Sequence, residues 1–495
     1  MFMKNLEIIL VFVIYLIVML GIGVHYYRKN ENLSDYILGG RKLNSWVTAL
    51  SSQASDMSGW LLMGLPGFAY LAGMEAMWIA LGLAVGTYLN WKFVARKLRR
   101  YTEVAKDSIT LPVYFENRFR DNSKILRIIS AVFILIFFMI YTSSGLVAGG
   151  KLFGTVFGLD YTLALTIGAL VIISYTFLGG FLAVCWTDFL QGLIMVLAII
   201  IVPLAAIMNI GGTDAVMAGF NEISPEFVNP FTDLTGQPLA LLAVISSLAW
   251  GLGYFGQPHI LVRFMAISSE DKIPKARRIA TTWVVISLAM AVLVGMVGAV
   301  AFQGQPLSDP ESVFMVLIDG LFPSLIAGVL LAAVLAAIMS TVDSQMLVTA
   351  SALTEDMYAL VRKEASEKEL LWVSRFSVIL VALMAYAMAL DINNKVLDLV
   401  SYAWAGFGAT FGPLVLFSLF WKKTTKGGAI AGMLAGGLTV ILWKNSSMFG
   451  VSGGIFDLYE IVPAFIIASI FIVLISLVEK PSDDMIEEYE QVSNN

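Results

Sequence analysis

Apolar stretches of about twenty residues alternate with short polar segments along almost the whole chain. A helix needs about 20 mainly apolar residues to cross roughly 30 Å of hydrocarbon. Thirteen stretches meet that length, near 6–25, 46–73, 75–92, 128–151, 161–179, 186–209 and 238–256, then 283–303, 321–341, 371–390, 397–420, 428–444 and 458–478. The pattern predicts an all-α integral membrane protein of about thirteen transmembrane helices. The first stretch lacks a basic lead-in beyond Lys4 and a small-residue cleavage site, so it is expected to stay as a span.

Two stretches are interrupted. The second carries Ser58-Gly59-Trp60-Leu61-Leu62-Met63-Gly64-Leu65-Pro66-Gly67, and the seventh ends in Trp250-Gly251-Leu252-Gly253-Tyr254-Phe255-Gly256-Gln257-Pro258. Proline removes an N–H and clashes with the preceding turn. Broken backbone at membrane depth is tolerated only beside a cavity or inside protein. Broken helices in corresponding places of two halves point to the central site of a secondary transporter. The two breaks lie five spans apart, which predicts a repeat of spans 2–6 and 7–11, inverted because its length is odd. The expected organisation is 1–45 (first helix and inner loop), 46–209 (first repeat), 210–237 (outer loop), 238–420 (second repeat), 421–478 (two further helices) and 479–495 (acidic tail, expected to be solvated).

Composition supports the membrane reading. The chain of 495 residues is 58% hydrophobic and 14% charged, against about 45–50% and about 25% in soluble domains. One cysteine excludes a disulfide framework, and two distant histidines argue against zinc. A net charge of −5 gives no support for nucleic-acid binding. No obligate protein partner is indicated. With the loop after span 1 placed inside, the inner segments hold 27 of the 31 basic residues, including Arg28, Lys29, Arg41 and Lys42. Cytoplasmic loops carry such an excess, so the N-terminus is expected outside and the C-terminus inside.

Asp56 lies beside the first break. A buried carboxylate costs at least about 2.5–3.5 kcal/mol and needs a partner. Arg41, a basic residue near it in sequence, is the expected one, and the pair is read as a coupling and gating element. In span 9, positions 337, 340, 341 and 344 follow i, i+3, i+4, i+7 spacing on one helical face. Ser340, Thr341 and Ser344 put three hydroxyls there. Asp343 and Asp188 stand near inner span ends, either as cation ligands or as interfacial and helix-start acids. Carboxylates, hydroxyls and freed carbonyls suit a small hard cation, and sodium fits better than zinc or copper. Cys185 reads as packing, His25 as an interfacial end residue, and a proton relay through His259 alone is a weak claim.

These residues carry a resemblance. Ala54-Ser55-Asp56-Met57-Ser58-Gly59-Trp60-Leu61-Leu62-Met63-Gly64-Leu65-Pro66-Gly67 resembles the signature of the sodium/proline branch of the sodium/solute symporter family. Supporting runs are Trp250 to Ile260, Tyr175 to Val184, Tyr402 to Ala409 and Tyr36 to Arg41. The resemblance covers nearly the whole chain. It implies a LeuT-type inverted repeat, one helix before the core and two after it, and sodium-driven uptake of L-proline by alternating access across a bacterial cytoplasmic membrane. It implies sodium contacts at Ala54, Met57, Ala337, Ser340 and Thr341, with a second cation position at Asp188, Asp343 and Ser344. It implies substrate contacts at Asp56, Ser58, Trp60, Gly64, Tyr141, Trp250, Tyr254 and Pro258. Asp343 departs from several relatives, which carry an uncharged residue there, so the number of coupled ions stays open. Another compact solute, proton coupling, or a sensor or channel are the competing readings. No Ser/His/Asp constellation or metal cluster at membrane depth suggests an enzyme.

Overall fold

The computed structural model describes residues 2–27, 33–176 and 180–493. Arg28, Lys29 and the Phe177–Gly179 part of the run Tyr175 to Val184 lie outside the described residues. The architecture is helical. The principal helices are α1 (Phe2–Tyr27), α2 (Ser45–Asp56), α3 (Leu65–Ala72), α4 (Met77–Leu89), α5 (Ala95–Val104), α6 (Ile125–Phe157), α7 (Tyr161–Thr176) and α8 (Phe181–Ile210). There follow α9 (Leu241–Leu248), α10 (Pro258–Ala266), α11 (Ile273–Ala301), α12 (Ser324–Leu353), α13 (Glu367–Ala389), α14 (Val396–Phe420), α15 (Lys426–Lys444), α16 (Ile461–Val478) and α17 (Asp483–Ser493).

Among the described residues, ten helical stretches are long and apolar enough to cross a membrane. One runs from Trp60 to Val104 and takes in the expected third span with the second half of the second. The fifth and seventh appear as shorter apolar helices, Tyr161–Ile173 and Leu241–Gly256. Helix α12 sits at the centre, buried along nearly its whole length from Ala327 to Ala352, and packs against α1, α2, α6 and α8. Helices α1 and α16 expose rows of leucine, isoleucine and valine, the surface that lipid would cover.

Both breaks form where glycine and proline predict them. Helix α2 ends at Asp56; Met57 N–H still donates to the Gln53 carbonyl at 2.8 Å, but Ser58 N–H turns to the Asp56 carbonyl at 2.9 Å. The chain then passes through one π-helical turn, Trp60–Gly64, before α3. In the seventh stretch α9 tightens into eight residues of 3-10 helix, Ala249–Gly256, and Gln257 is extended before α10 begins on Pro258. Gly251 packs against Gly82 and Gly86 here: a Cβ on Gly86 would strike the Gly251 backbone, and one on Gly251 would strike the Gly82 carbonyl.

The tail differs from its expectation. Residues 483–493 form α17, which buries Met485, Glu488 and Val492. Arg120 donates to Glu488 at 2.6 Å, Lys422 pairs with Glu490 at 3.0 Å, and Arg100 donates to the Val492 carbonyl at 3.3 Å. The fully buried Arg118 guanidinium lies 5.7 Å from the Tyr489 ring. The acidic helix is held because its charges meet the basic segment between α4 and α6 and Lys422 just after α14.

Candidate functional site

The site forms where the two breaks face α6 and α12. Asp56 is fully buried, and Tyr254 of the 3-10 segment donates its hydroxyl to Asp56 Oδ2 at 2.6 Å. The backbone carbonyl of Asp56 accepts from Trp60 Nε1 at 3.1 Å and from the Tyr141 hydroxyl at 3.3 Å. Asp56 Oδ1 has no hydrogen-bond partner. Three other residues implied as substrate contacts therefore bond Asp56, Tyr254 at its carboxylate and Trp60 and Tyr141 at its backbone carbonyl.

Arg41 is not among them, which corrects the expected pairing. Its guanidinium donates to Asp107 Oδ1 at 2.8 Å, to the Met265 carbonyl at 2.6 Å and to the Ser108 carbonyl at 3.0 Å. The reason is reach: residues 39–41 leave the helical path on positive φ angles, and the side chain turns toward the polar ends of α5 and α10. It fastens the end of α10 rather than neutralising Asp56.

The remaining substrate candidates are distributed around the breaks. Trp60 and Trp250 have ring centroids 6.2 Å apart, and Trp250 stacks obliquely on Tyr459 at 5.5 Å. Ser58 Oγ accepts from Trp60 N–H at 3.4 Å. Gly64 gives room to Leu397 of α14, which a Cβ would approach to 3.1 Å. Pro258 opens α10 and borders a small cavity of about 20 Å³ with Phe181 and Val262. On the opposite side, a cavity of about 490 Å³ reaches Trp250 and Tyr459. Trp404 was not singled out from sequence, yet its Nε1 donates to the Trp250 carbonyl at 2.7 Å and its ring packs on Tyr254 at 5.0 Å. Gly253 is the residue that lets the indole so close.

One turn before the first break, oxygens converge. Ser340 Oγ donates to the Ala54 carbonyl at 2.7 Å and lies 3.2 Å from the Ala337 carbonyl. Thr341 Oγ1 lies 3.3 Å and 3.2 Å from the same two. The Ala54 carbonyl is available because Ser58 N–H, its partner in a continuous helix, has turned to Asp56. Met57 occupies the bend itself, buried, at φ −80° and ψ 70°. Two carbonyls and two hydroxyls make a set of hard donors suited to an alkali cation.

Asp188 and Ser344 are also brought together, but around an arginine that the sequence reading passed over. Arg263 of α10 donates to Asp188 Oδ2 at 3.0 Å, to Ser344 Oγ at 2.6 Å, to Ser51 Oγ at 3.1 Å and to the His259 carbonyl at 2.7 Å. Ser51 Oγ donates to Asp188 Oδ2 at 2.7 Å, and Asp343 Oδ1 lies 3.4 Å from Ser344 Oγ. All of these side chains are buried. Helix α8 begins at Phe181, so Asp188 sits two turns inside it rather than at its start. Arg263 was legible only as a basic residue of a loop; the helix that carries it begins beyond the apolar window.

The sodium:solute symporter family pattern matches residues 36–436. The sodium/proline symporter of Escherichia coli (strain K12) is 50% identical over 488 residues, covering 97% of this chain and 95% of that one. The high-affinity proline transporter PutP of Bacillus subtilis (strain 168) is 49% identical over 477 residues, covering 95% and 98%. Among solved structures, a sodium-coupled sialic acid symporter in a substrate-bound outward-open state shares the fold, with a TM-score of 0.80 at 19% identity over 96% of this chain and 98% of that one. Four-fifths of the chain matched by one family pattern, and two bacterial relatives near half identity end to end, leave one conclusion: the chain belongs to the sodium/solute symporter family.

Proposed function

We propose that the protein couples the inward movement of sodium to the uptake of L-proline by alternating access in a bacterial cytoplasmic membrane. The observation that carries this reading is the joining of the two broken stretches at Asp56 and Tyr254, one turn from the oxygens of Ala54, Ala337, Ser340 and Thr341. Relatives named as proline transporters, at 50% and 49% identity over nearly their whole length, support the substrate.

In this reading Ala54, Met57, Ala337, Ser340 and Thr341 hold the sodium ion. Trp60, Tyr141, Trp250 and Tyr254 enclose the pyrrolidine ring, Asp56 takes the ring ammonium, and Ser58, Gly64 and Pro258 shape the pocket. A compact, largely apolar solute needs few polar groups for specificity. The chain crosses the membrane thirteen times, with the N-terminus outside and spans 2–6 and 7–11 as inverted repeats. That orientation puts the cavity at Trp250 on the outer side and the closed one at Pro258 on the inner side. Arg263 serves as the cation of the Asp188–Ser344 cluster and ties the inner half-helices α2 and α10 to α8 and α12; Arg41 fastens the end of α10. Sodium binding draws the Ala54 carbonyl against α12, and the inner ties release when the pocket is filled and closed from outside.

The driving force suffices. One sodium ion moving down about 100 mV gains roughly 2.3 kcal/mol, and a tenfold gradient adds roughly 1.4 kcal/mol. Together they support accumulation of several hundredfold at most. Uptake of labelled proline into proteoliposomes, with and without an inward sodium gradient at fixed potential, tests the reading. Accumulation only with sodium supports it; uptake driven equally by protons would move the coupling to Asp188 and Asp343.

A further inference from the structure

The second half-helix, α10, starts with an uncommitted polar group. His259 is fully buried, yet neither Nδ1 nor Nε2 has a hydrogen-bond partner. A neutral imidazole carries one donor and one acceptor, and leaving them unmade inside a protein is costly. Its ring meets Phe138 at 5.6 Å and Tyr141 at 6.1 Å, both edge to face. Tyr141 is the residue whose hydroxyl donates to the Asp56 carbonyl at 3.3 Å, so His259 and Asp56 touch the same side chain.

The backbone offers one donor at this point: Pro258 has no N–H, and the N–H groups of Ile260 and Leu261 already donate to the Gln257 carbonyl at 3.1 and 3.0 Å, which leaves that of His259. No side chain caps the start of α10. Gln257, in the cap position, turns its amide away to donate to the carbonyls of Gly253 at 3.2 Å and Trp404 at 3.1 Å. The first turn of a helix presents free N–H groups and a partial positive charge to an anion. An unpartnered buried imidazole beside an uncapped helix start is a pair of donors lacking an acceptor. Across Tyr141, Asp56 Oδ1 is a buried acceptor lacking a donor. A zwitterion with ammonium and carboxylate on one carbon supplies both missing partners.

We propose that His259 is a specificity residue that donates an imidazole N–H to the substrate carboxylate, beside the start of α10 and opposite Asp56. The assignment rests on the proline reading of the site and adds to it the chemistry by which the carboxylate end is recognised. A free carboxylate is then required, and carboxyl-blocked analogues lose most of their affinity.

The experiment is competition against labelled proline uptake into proteoliposomes under an inward sodium gradient, comparing L-proline with L-prolinamide. In the unaltered chain, proline competes far better than prolinamide. His259→Phe keeps an aromatic ring against Phe138 and Tyr141 but cannot donate. It is expected to raise the half-inhibitory concentration of proline about ten- to hundredfold and to leave that of prolinamide nearly unchanged, collapsing the ratio. Sodium half-saturation at saturating proline stays the same. His259→Gln, which retains a donor, keeps part of the discrimination and serves as the test if the phenylalanine variant does not insert. An unchanged proline-to-prolinamide ratio in an active variant would overturn the assignment and reduce His259 to packing. Failure of the unaltered chain to take up proline would instead overturn the substrate reading, and this assignment with it.

Discussion

The hydroxyl of Tyr254 lies 2.6 Å from the carboxylate of Asp56, across 198 positions of sequence. Each residue belongs to a different broken helix, so the bond joins the two backbone interruptions directly. It also leaves half of the carboxylate, Oδ1, unsatisfied. The arrangement is suited to receive a positively charged ligand group.

Removing the charge is expected to be more severe than removing the bond. Asp56→Asn abolishes sodium-dependent accumulation of proline. Tyr254→Phe deletes one hydrogen bond to a charged group, worth about 1.5–3 kcal/mol, and raises the concentration for half-maximal uptake about ten- to hundredfold. Initial rates at varied proline with sodium held saturating check both; near-normal accumulation by Asp56→Asn would remove that residue from coupling.

Ser340→Ala and Thr341→Ala each withdraw one oxygen from the group around Ala54 and Ala337. Each variant should need about tenfold more sodium for half-maximal uptake, with little change in maximal rate. Sodium binds the folded protein and stabilises it by about 2.7 kcal/mol at a hundredfold excess over its Kd. The melting temperature should therefore rise on exchanging potassium for sodium, and rise less in the two variants.

Arg263 and Asp188 form a buried ion pair whose members cannot be neutralised singly without cost. Arg263→Gln leaves a buried carboxylate unpaired and should destabilise by about 3–5 kcal/mol. Adding Asp188→Asn should recover much of that loss. Thermal unfolding in detergent gives the comparison, and a double variant no more stable than Arg263→Gln alone would show that the pair is not what holds this region.

The docked helix α17 depends on charge at its rim. The Lys422–Glu490 pair is half exposed on both sides, so it contributes little alone, while Glu488 is nearly buried against Arg120. Glu488→Gln with Glu490→Gln should speed proteolytic cleavage within residues 483–493 about three- to tenfold. Salt near 1 M, where the Debye length falls to about 3 Å, should act in the same direction on the unaltered chain. Cleavage rates indifferent to both would mean that Met485 and Val492 alone hold the helix.

The breaks at residues 57–59 and at Gln257 were legible because glycine and proline state backbone conformation locally. The convergence of Ser340 and Thr341 on one helical face was legible because helix periodicity is fixed. What the sequence hid were contacts made across it. Arg41 stands 15 positions from Asp56 but binds Met265, 224 positions away. Arg263 falls outside the apolar window that marks span 7, because a buried arginine paired with Asp188 looks, in hydropathy alone, like a residue in water. Helix α17 was hidden for the converse reason: a run of acids reads as solvated unless the basic surface that receives it is known.

The winding of the second break has a consequence of length. Residues 249–256 form a 3-10 helix, which rises about 2.0 Å per residue where an α-helix rises about 1.5 Å. Over eight residues the tighter winding is about 4 Å longer. Trp250 and Tyr254, four residues apart within it, are therefore set about 2 Å farther apart along the axis than in an α-helix. The spacing of the two aromatic side chains is thus set by the pitch of the backbone itself.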